Sequence, residues 1–203
     1  MNAAQTATET AIMPPPRRLN RVTRPAERIV LTGFMGSGKS TVGPLLAAEL
    51  GWAFVDLDRE IERRTGRTVP QIFAEKGEEA FRKEETAALV AALGHARTVI
   101  ALGGGAPETL ANRLLLEQTP ATAVVYLAAP FRTLAERCAQ QAASPTANLR
   151  PNFADAIAAE ARFEARQPLY RRLAHVSVDT ETLTPQDAVA VLLTAVAAKA
   201  QRA

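Results

Sequence analysis

Eight residues, Gly33-Phe34-Met35-Gly36-Ser37-Gly38-Lys39-Ser40, restrict what this chain can fold into more than any other stretch. They follow the pattern G-x-x-x-x-G-K-[ST]. An apolar run, Arg28-Ile29-Val30-Leu31-Thr32, precedes them, and Val42, Leu45, Leu46 and Leu50 follow at helical spacing. Such a strand–loop–helix unit is a phosphate cradle. Glycines let backbone N–H groups turn inward around phosphate oxygens, and the helix N-terminus adds partial positive charge. Lysine at the seventh position reaches the β- and γ-phosphates, and the following hydroxyl ligates Mg²⁺. Gly36, Ser37, Gly38, Lys39, Ser40 and Thr41 are therefore the expected ATP-binding residues, with Lys39 also catalytic. Pro44, early in the helix, removes an N–H and crowds the carbonyl of Ser40, so a slight bend is expected there.

The rest of the chain repeats the alternation. Short apolar runs at 53–56, 98–102, 123–127 and 175–178 are separated by helical patterns at 58–66, 78–93, 107–117, 130–140, 153–172 and 185–200. Strands spaced by such helices give βαβ units, hence a parallel sheet covered on both faces. With 203 residues, 47% of them apolar, the chain suffices for one domain at 26–203. Residues 1–25 are polar and contain Pro14-Pro15-Pro16, and they read as a disordered tail without a secretory h-region. The net charge of +3 comes from arginines scattered among carboxylates rather than clustered with aromatics, so no nucleic-acid partner is expected. No apolar run reaches the length of a membrane span. A single cysteine, Cys138, excludes an intramolecular disulfide and a cysteine-built metal site, in keeping with a cytoplasmic location.

Three further features lie at strand ends, where open α/β sheets place their ligands. Asp56-Leu57-Asp58 ends the second run, and its carboxylates either face the transferred phosphate or cap the next helix. Gly103-Gly104-Gly105 ends the third, a glycine density beyond what a turn needs and suited to close contact between a ligand and backbone N–H groups. Gly77–Glu85 carries charges, of which Glu78, Glu79 and Lys83 read as a solvated helix face. Taken in order, Gly33–Thr41, Asp56–Asp58, Ile72-Phe73, Gly-x-x-x-Phe-Arg-x-x-Glu at 77–85, Gly103–Gly105 and Arg-x-Pro-Leu-Tyr at 166–170 resemble a shikimate kinase, over residues 27–200.

That resemblance implies a three-layer α/β/α fold around a five-stranded parallel sheet, of the P-loop, nucleoside-monophosphate-kinase-like kind. It implies that Asp58, Arg82, Gly103, Gly104, Gly105 and Arg166 hold shikimate, with Phe73 and Phe81 near its ring and Glu85 in support. The residue types suit the task. Two arginines clamp a carboxylate, and Asp58 orients and can deprotonate a ring hydroxyl. Asp56 is left to hold Mg²⁺ with Ser40, through water. Family members also carry a lid; here it spans about 139–152, with Arg137 before it and Arg150-Pro151 after it, and both arginines are expected on ATP. This lid is longer than usual, and Asn152-Phe153 stand where two leucines are common. The expected activity is transfer of the γ-phosphate of MgATP to the 3-hydroxyl of shikimate by a monomer, with Lys39, Asp58 and Arg150 as catalytic residues. The rival readings are a kinase for another small metabolite, such as gluconate or a nucleoside monophosphate, and an ATP-sensing regulator without turnover.

Overall fold

The computed structural model describes residues 12–13, 26–142 and 156–201. After a two-residue strand β1 (Ile12–Met13) come β2 (Arg28–Thr32), α1 (Lys39–Leu50), β3 (Ala53–Asp56), α2 (Leu57–Thr65), α3 (Val69–Leu93) and β4 (Thr98–Ala101). A 3₁₀ turn at Ala106–Glu108 leads to α4 (Leu110–Gln118), β5 (Thr122–Ala128), α5 (Phe131–Ala142), α6 (Ala156–Leu173), β6 (Val176–Asp179) and α7 (Pro185–Gln201). The sheet order is β1-β6-β5-β2-β4-β3. Strands β2 to β6 pair in parallel as expected, while β1 pairs antiparallel with β6, Ile12 opposite Val178 and Met13 opposite Ser177. That sixth, edge strand lies in the segment read as a tail.

Both faces of the sheet are buried, which is why its strands read as continuous apolar runs rather than alternating ones. Along β2 the period of two sends Val30 to one side and Ile29 and Leu31 to the other. Val30 joins Leu57 and Ile61 of α2 and Ile72, Phe81 and Leu89 of α3. Ile29 and Leu31 join Val42 and Leu46 of α1 and Val189 and Leu192 of α7. A third cluster, Phe34, Tyr126, Leu134, Phe163 and Tyr170, ties the phosphate loop to α5 and α6.

Two helices depart from the sequence reading. Helix α3 begins at Val69 rather than 78, because Thr68 and Gln71 form a capping box with proline in the first turn. It breaks direction at Gly77, whose φ of 78° and ψ of 175° interrupt the helical path. The segment expected as one helix over 107–117 splits into the 3₁₀ turn and α4. Asn112 Nδ2 donates to Ala106 O at 3.0 Å and thereby fixes the turn against α4. Helix α1 runs unbroken through Pro44.

Candidate active site

The loop after β2 wraps the start of α1. Gly36 has φ 76°, and a Cβ there would stand 2.6 Å from Leu134 O and 2.9 Å from Cys138 Sγ, so only glycine fits between α5 and the cradle. Lys39 is 8% exposed. Its ammonium donates to Gly33 O at 2.7 Å, Phe34 O at 2.8 Å and Ser37 Oγ at 3.3 Å, tying the loop to the start of α1. Beside it, Ser40 Oγ donates to Asp56 Oδ2 at 2.8 Å. The other oxygen of Asp56 caps α2, accepting from Asp58 N at 3.1 Å and Arg59 N at 3.4 Å. The helix-capping reading of the aspartate pair holds at Asp56, which at the same time reaches Ser40 at the end of the phosphate loop.

None of the three glycines after β4 has positive φ, and it is space that favours glycine at positions 103 and 105, whereas a Cβ on Gly104 would make only ordinary contacts at 3.8 Å. A Cβ on Gly103 would lie 2.9 Å from both Asp58 Oδ1 and Glu85 Oε1, so the turn is packed between two carboxylates brought in by α2 and α3. A Cβ on Gly105 would lie 2.6 Å and 2.8 Å from the two Nη atoms of Arg82. Between them, Gly104 O accepts from the hydroxyl of the fully buried Tyr170 at 2.5 Å.

Arg82 and Arg166 reach this pocket from α3 and α6. Arg82 Nη1 donates to Glu85 Oε2 at 2.8 Å, and its Nη2 donates to Glu78 at 3.1 Å and to Glu108 Oε2 at 3.2 Å. Arg166 Nη2 donates to that same Glu108 oxygen at 2.8 Å. Glu85 is 1% exposed, and among the described residues its Oε1 has no hydrogen-bond partner. Burial pushes its carboxyl up to about 7 even though Arg82 pulls it down, and the nearby Asp58 adds to the rise. Phe81 lies under the Arg82 guanidinium at 5.5 Å and against Phe73 at 4.6 Å between ring centroids, giving the pocket an apolar wall.

Asp58, Arg82, Gly103, Gly104, Gly105 and Arg166 thus meet at one end of the sheet beside Lys39, Ser40 and Asp56. Arg137 lies further along the same edge, where its guanidinium donates to Thr180 O at 2.5 Å and to Thr180 Oγ1 and Glu181 O, at the loop after β6. Arg150, Pro151 and most of the expected lid fall outside the described residues. Glu78 is solvated as read, its side chain 66% exposed, and it also pairs with Arg82 one turn on. Glu108 was not singled out from the sequence, and neither was the hydroxyl of Tyr170. The only hint of Glu108 there is an acidic residue just beyond the triplet.

A phosphate-loop motif that shares its sheet edge with two converging arginines is the arrangement of P-loop kinases that act on small molecules. Within that class the shikimate kinase profile matches residues 35–197, and the chain belongs to the shikimate kinase family, whose reaction is phosphoryl transfer from ATP to a hydroxyl of shikimate. A shikimate kinase of Symbiobacterium thermophilum is 41% identical over 174 residues, covering 81% of this chain and 93% of that protein. One of Chlorobium chlorochromatii is 51% identical over a shorter span of 117 residues, 58% of this chain and 60% of that protein. The structure of a shikimate kinase from Acinetobacter baumannii in complex with shikimate superposes with a TM-score of 0.75 at 35% identity, covering 85% of this chain and 94% of that one. A gluconokinase of Sinorhizobium meliloti, with a TM-score of 0.54 at 19% identity, shares the fold. Among the described residues no helix is long and apolar enough to cross a membrane.

Proposed function

We propose that this chain phosphorylates the 3-hydroxyl of shikimate with the γ-phosphate of MgATP, working as a cytoplasmic monomer without nucleic-acid or membrane partners. The observation that carries the assignment of the pocket is the convergence of Arg82 Nη2 and Arg166 Nη2 on a single carboxylate oxygen, at 3.2 Å and 2.8 Å. Two guanidinium groups aimed at one point recognise a carboxylate, and shikimate carries one. With the acid held there, the backbone N–H groups of Gly103, Gly104 and Gly105 meet the ring from one side and Phe73 and Phe81 from another. Asp58 then faces a ring hydroxyl, orienting it and accepting its proton as the O–P bond forms.

On the nucleotide side, Gly36 to Thr41 hold the phosphates and Arg137 the far end of ATP. Lys39 exchanges the carbonyls of Gly33 and Phe34 for phosphate oxygens and so follows the charge on the moving group. Arg150 adds a second positive charge. Ser40 and Asp56 offer a hydroxyl and one carboxylate already 2.8 Å apart, a donor set that suits Mg²⁺, which keeps most of its waters. When bound, Mg²⁺ neutralises the phosphate oxygens. For a loose phosphoryl transition state, such positioning and charge neutralisation are the main contributions a protein can make.

The test is ADP release, coupled to a reporter, with shikimate, quinate, gluconate and AMP in parallel, with and without Mg²⁺. Turnover with shikimate that requires Mg²⁺ is the expected result. Comparable turnover of gluconate or AMP with shikimate inert would overturn the substrate assignment, and no turnover with any of them would favour an ATP-binding regulator.

A further inference from the structure

We propose that Glu108 is an internal occupant of the substrate's carboxylate site, a displaceable side chain that sets how strongly, and how selectively, the pocket takes an acid. The inference rests on the reading that Arg82 and Arg166 hold the substrate carboxylate. Its Oε2 accepts from both arginines at once, and it is the only acidic group that does so among the described residues. Glu78 touches Arg82 alone, and Glu85 pairs with the other Nη of Arg82. Glu108 therefore makes the two contacts that an incoming carboxylate needs. Two carboxylates cannot share them, because like charges at hydrogen-bonding distance repel strongly in a site whose arginine side chains are only 17% and 13% exposed.

The acid side chains differ in how readily they can yield. Glu85 is 1% exposed and wedged against Gly103, so it stays. Glu108 is 39% exposed and stands on the 3₁₀ turn at the pocket's rim, so its carboxylate regains water when it leaves. Its backbone does not follow. Glu108 N donates to Gly105 O at 2.9 Å, and Arg113 Nη1 donates to Pro107 O at 2.7 Å and Glu108 O at 2.8 Å. The movement is confined to side-chain torsions, and the glycine turn that must receive the ring keeps its place. Glu108 also neutralises two neighbouring cations that would otherwise repel each other.

Selectivity follows from the same competition. A substrate carboxylate replaces the contacts it breaks with equivalent ones of its own. A neutral analogue offers the arginines nothing comparable, so it leaves Glu108 where it is. The apparent affinity for the acid is lowered by the fraction of molecules whose clamp is free, and its advantage over a neutral analogue narrows by the same factor.

The test compares wild type, Glu108→Ala, Glu108→Gln and Arg166→Ala, using shikimate and its methyl ester as acceptors. Glu108→Ala is expected to lower KM for shikimate by about 3- to 30-fold, as for a clamp free a third to a thirtieth of the time. KM for the ester and for ATP should stay put and kcat should not fall. Glu108→Gln keeps the shape and one neutral acceptor, and should shift the shikimate KM in the same direction by less; it also carries the test if the alanine variant does not fold. An unchanged or raised shikimate KM in both Glu108 variants, with Arg166→Ala still losing shikimate affinity, overturns this proposal and leaves the clamp intact. If Arg166→Ala leaves the shikimate KM unchanged, the clamp itself was wrongly placed and the proposal falls with it.

Discussion

At the scale of single residues, the pocket depends on charges whose burial is uneven, and this separates what each substitution should do. Arg166 is 13% exposed at its side chain and Arg82 is 17% exposed. Removing either arginine should weaken shikimate by about 2–5 kcal/mol, the range for a desolvated charge pair. ATP affinity should barely move, whereas Lys39→Ala should abolish turnover. Equal losses of ATP and shikimate affinity in an arginine variant, measured by titration calorimetry, would place that arginine elsewhere. Glu85 makes a different prediction, about stability. Its carboxyl is raised from 4.5 to about 7, chiefly by burial. The folded protein therefore holds a proton there that the unfolded chain has already lost. Stability from this group is complete below pH 4.5 and declines as pH rises through about 7, by about 3 kcal/mol in total. Glu85→Gln should flatten the fall in denaturation free energy between pH 5 and 8. An unchanged slope in the variant would mean that Glu85 is ionised throughout.

At the scale of elements, the turn after β4 works as a spacer. It is seated between Asp58 on α2 and Glu85 on α3, with both carboxylates 2.9 Å from where a Cβ of residue 103 would sit. Gly103→Ala meets no conformational barrier, since φ there is ordinary, so the protein should fold. The methyl group must displace Asp58, and a shift of about 1 Å in a positioned group can cost about 10²-fold in rate. A fall of that order in kcat/KM for shikimate, with nucleotide affinity intact, is the expected outcome; activity within twofold of wild type would show that Asp58 tolerates displacement. These relations also show what a sequence makes legible. The phosphate loop could be read because its function needs consecutive residues whose chemistry is local. The strands could be read because burial on both faces writes continuous apolar runs. The first turns of α3 were missed because Gly77 interrupts the pattern and Ile72 alone marks the buried face, although Thr68 and Gln71 held the capping signal. Glu108 was invisible for another reason. Its partners stand 26 positions before it and 58 after it, and only the packed turn brings the three together.

At the scale of the whole molecule, the sheet order separates the proposed substrate pocket from strand β1. The carboxyl ends of β2, β3 and β4 carry the phosphate loop, the aspartates and the glycine turn, while β1 sits at the opposite edge against β6. Four strand spacings of about 4.8 Å put roughly 19 Å between β1 and β4, beyond any direct contact with shikimate. A two-residue ladder adds few hydrogen bonds, each contributing about 1 kcal/mol net. Fixing the backbone of each residue costs about 1–2 kcal/mol, so the two effects nearly cancel. Among the described residues, the clusters on the faces of the sheet are built from residue 29 onward. We therefore expect a chain starting at Ala26 to retain the KM for both substrates and kcat, and to melt within a few degrees of the full chain. Differential scanning calorimetry alongside steady-state kinetics decides it. A melting temperature lower by many degrees would mean that residues 1–25 pack on the domain beyond the β1–β6 ladder, and a raised shikimate KM would mean that their influence crosses the sheet.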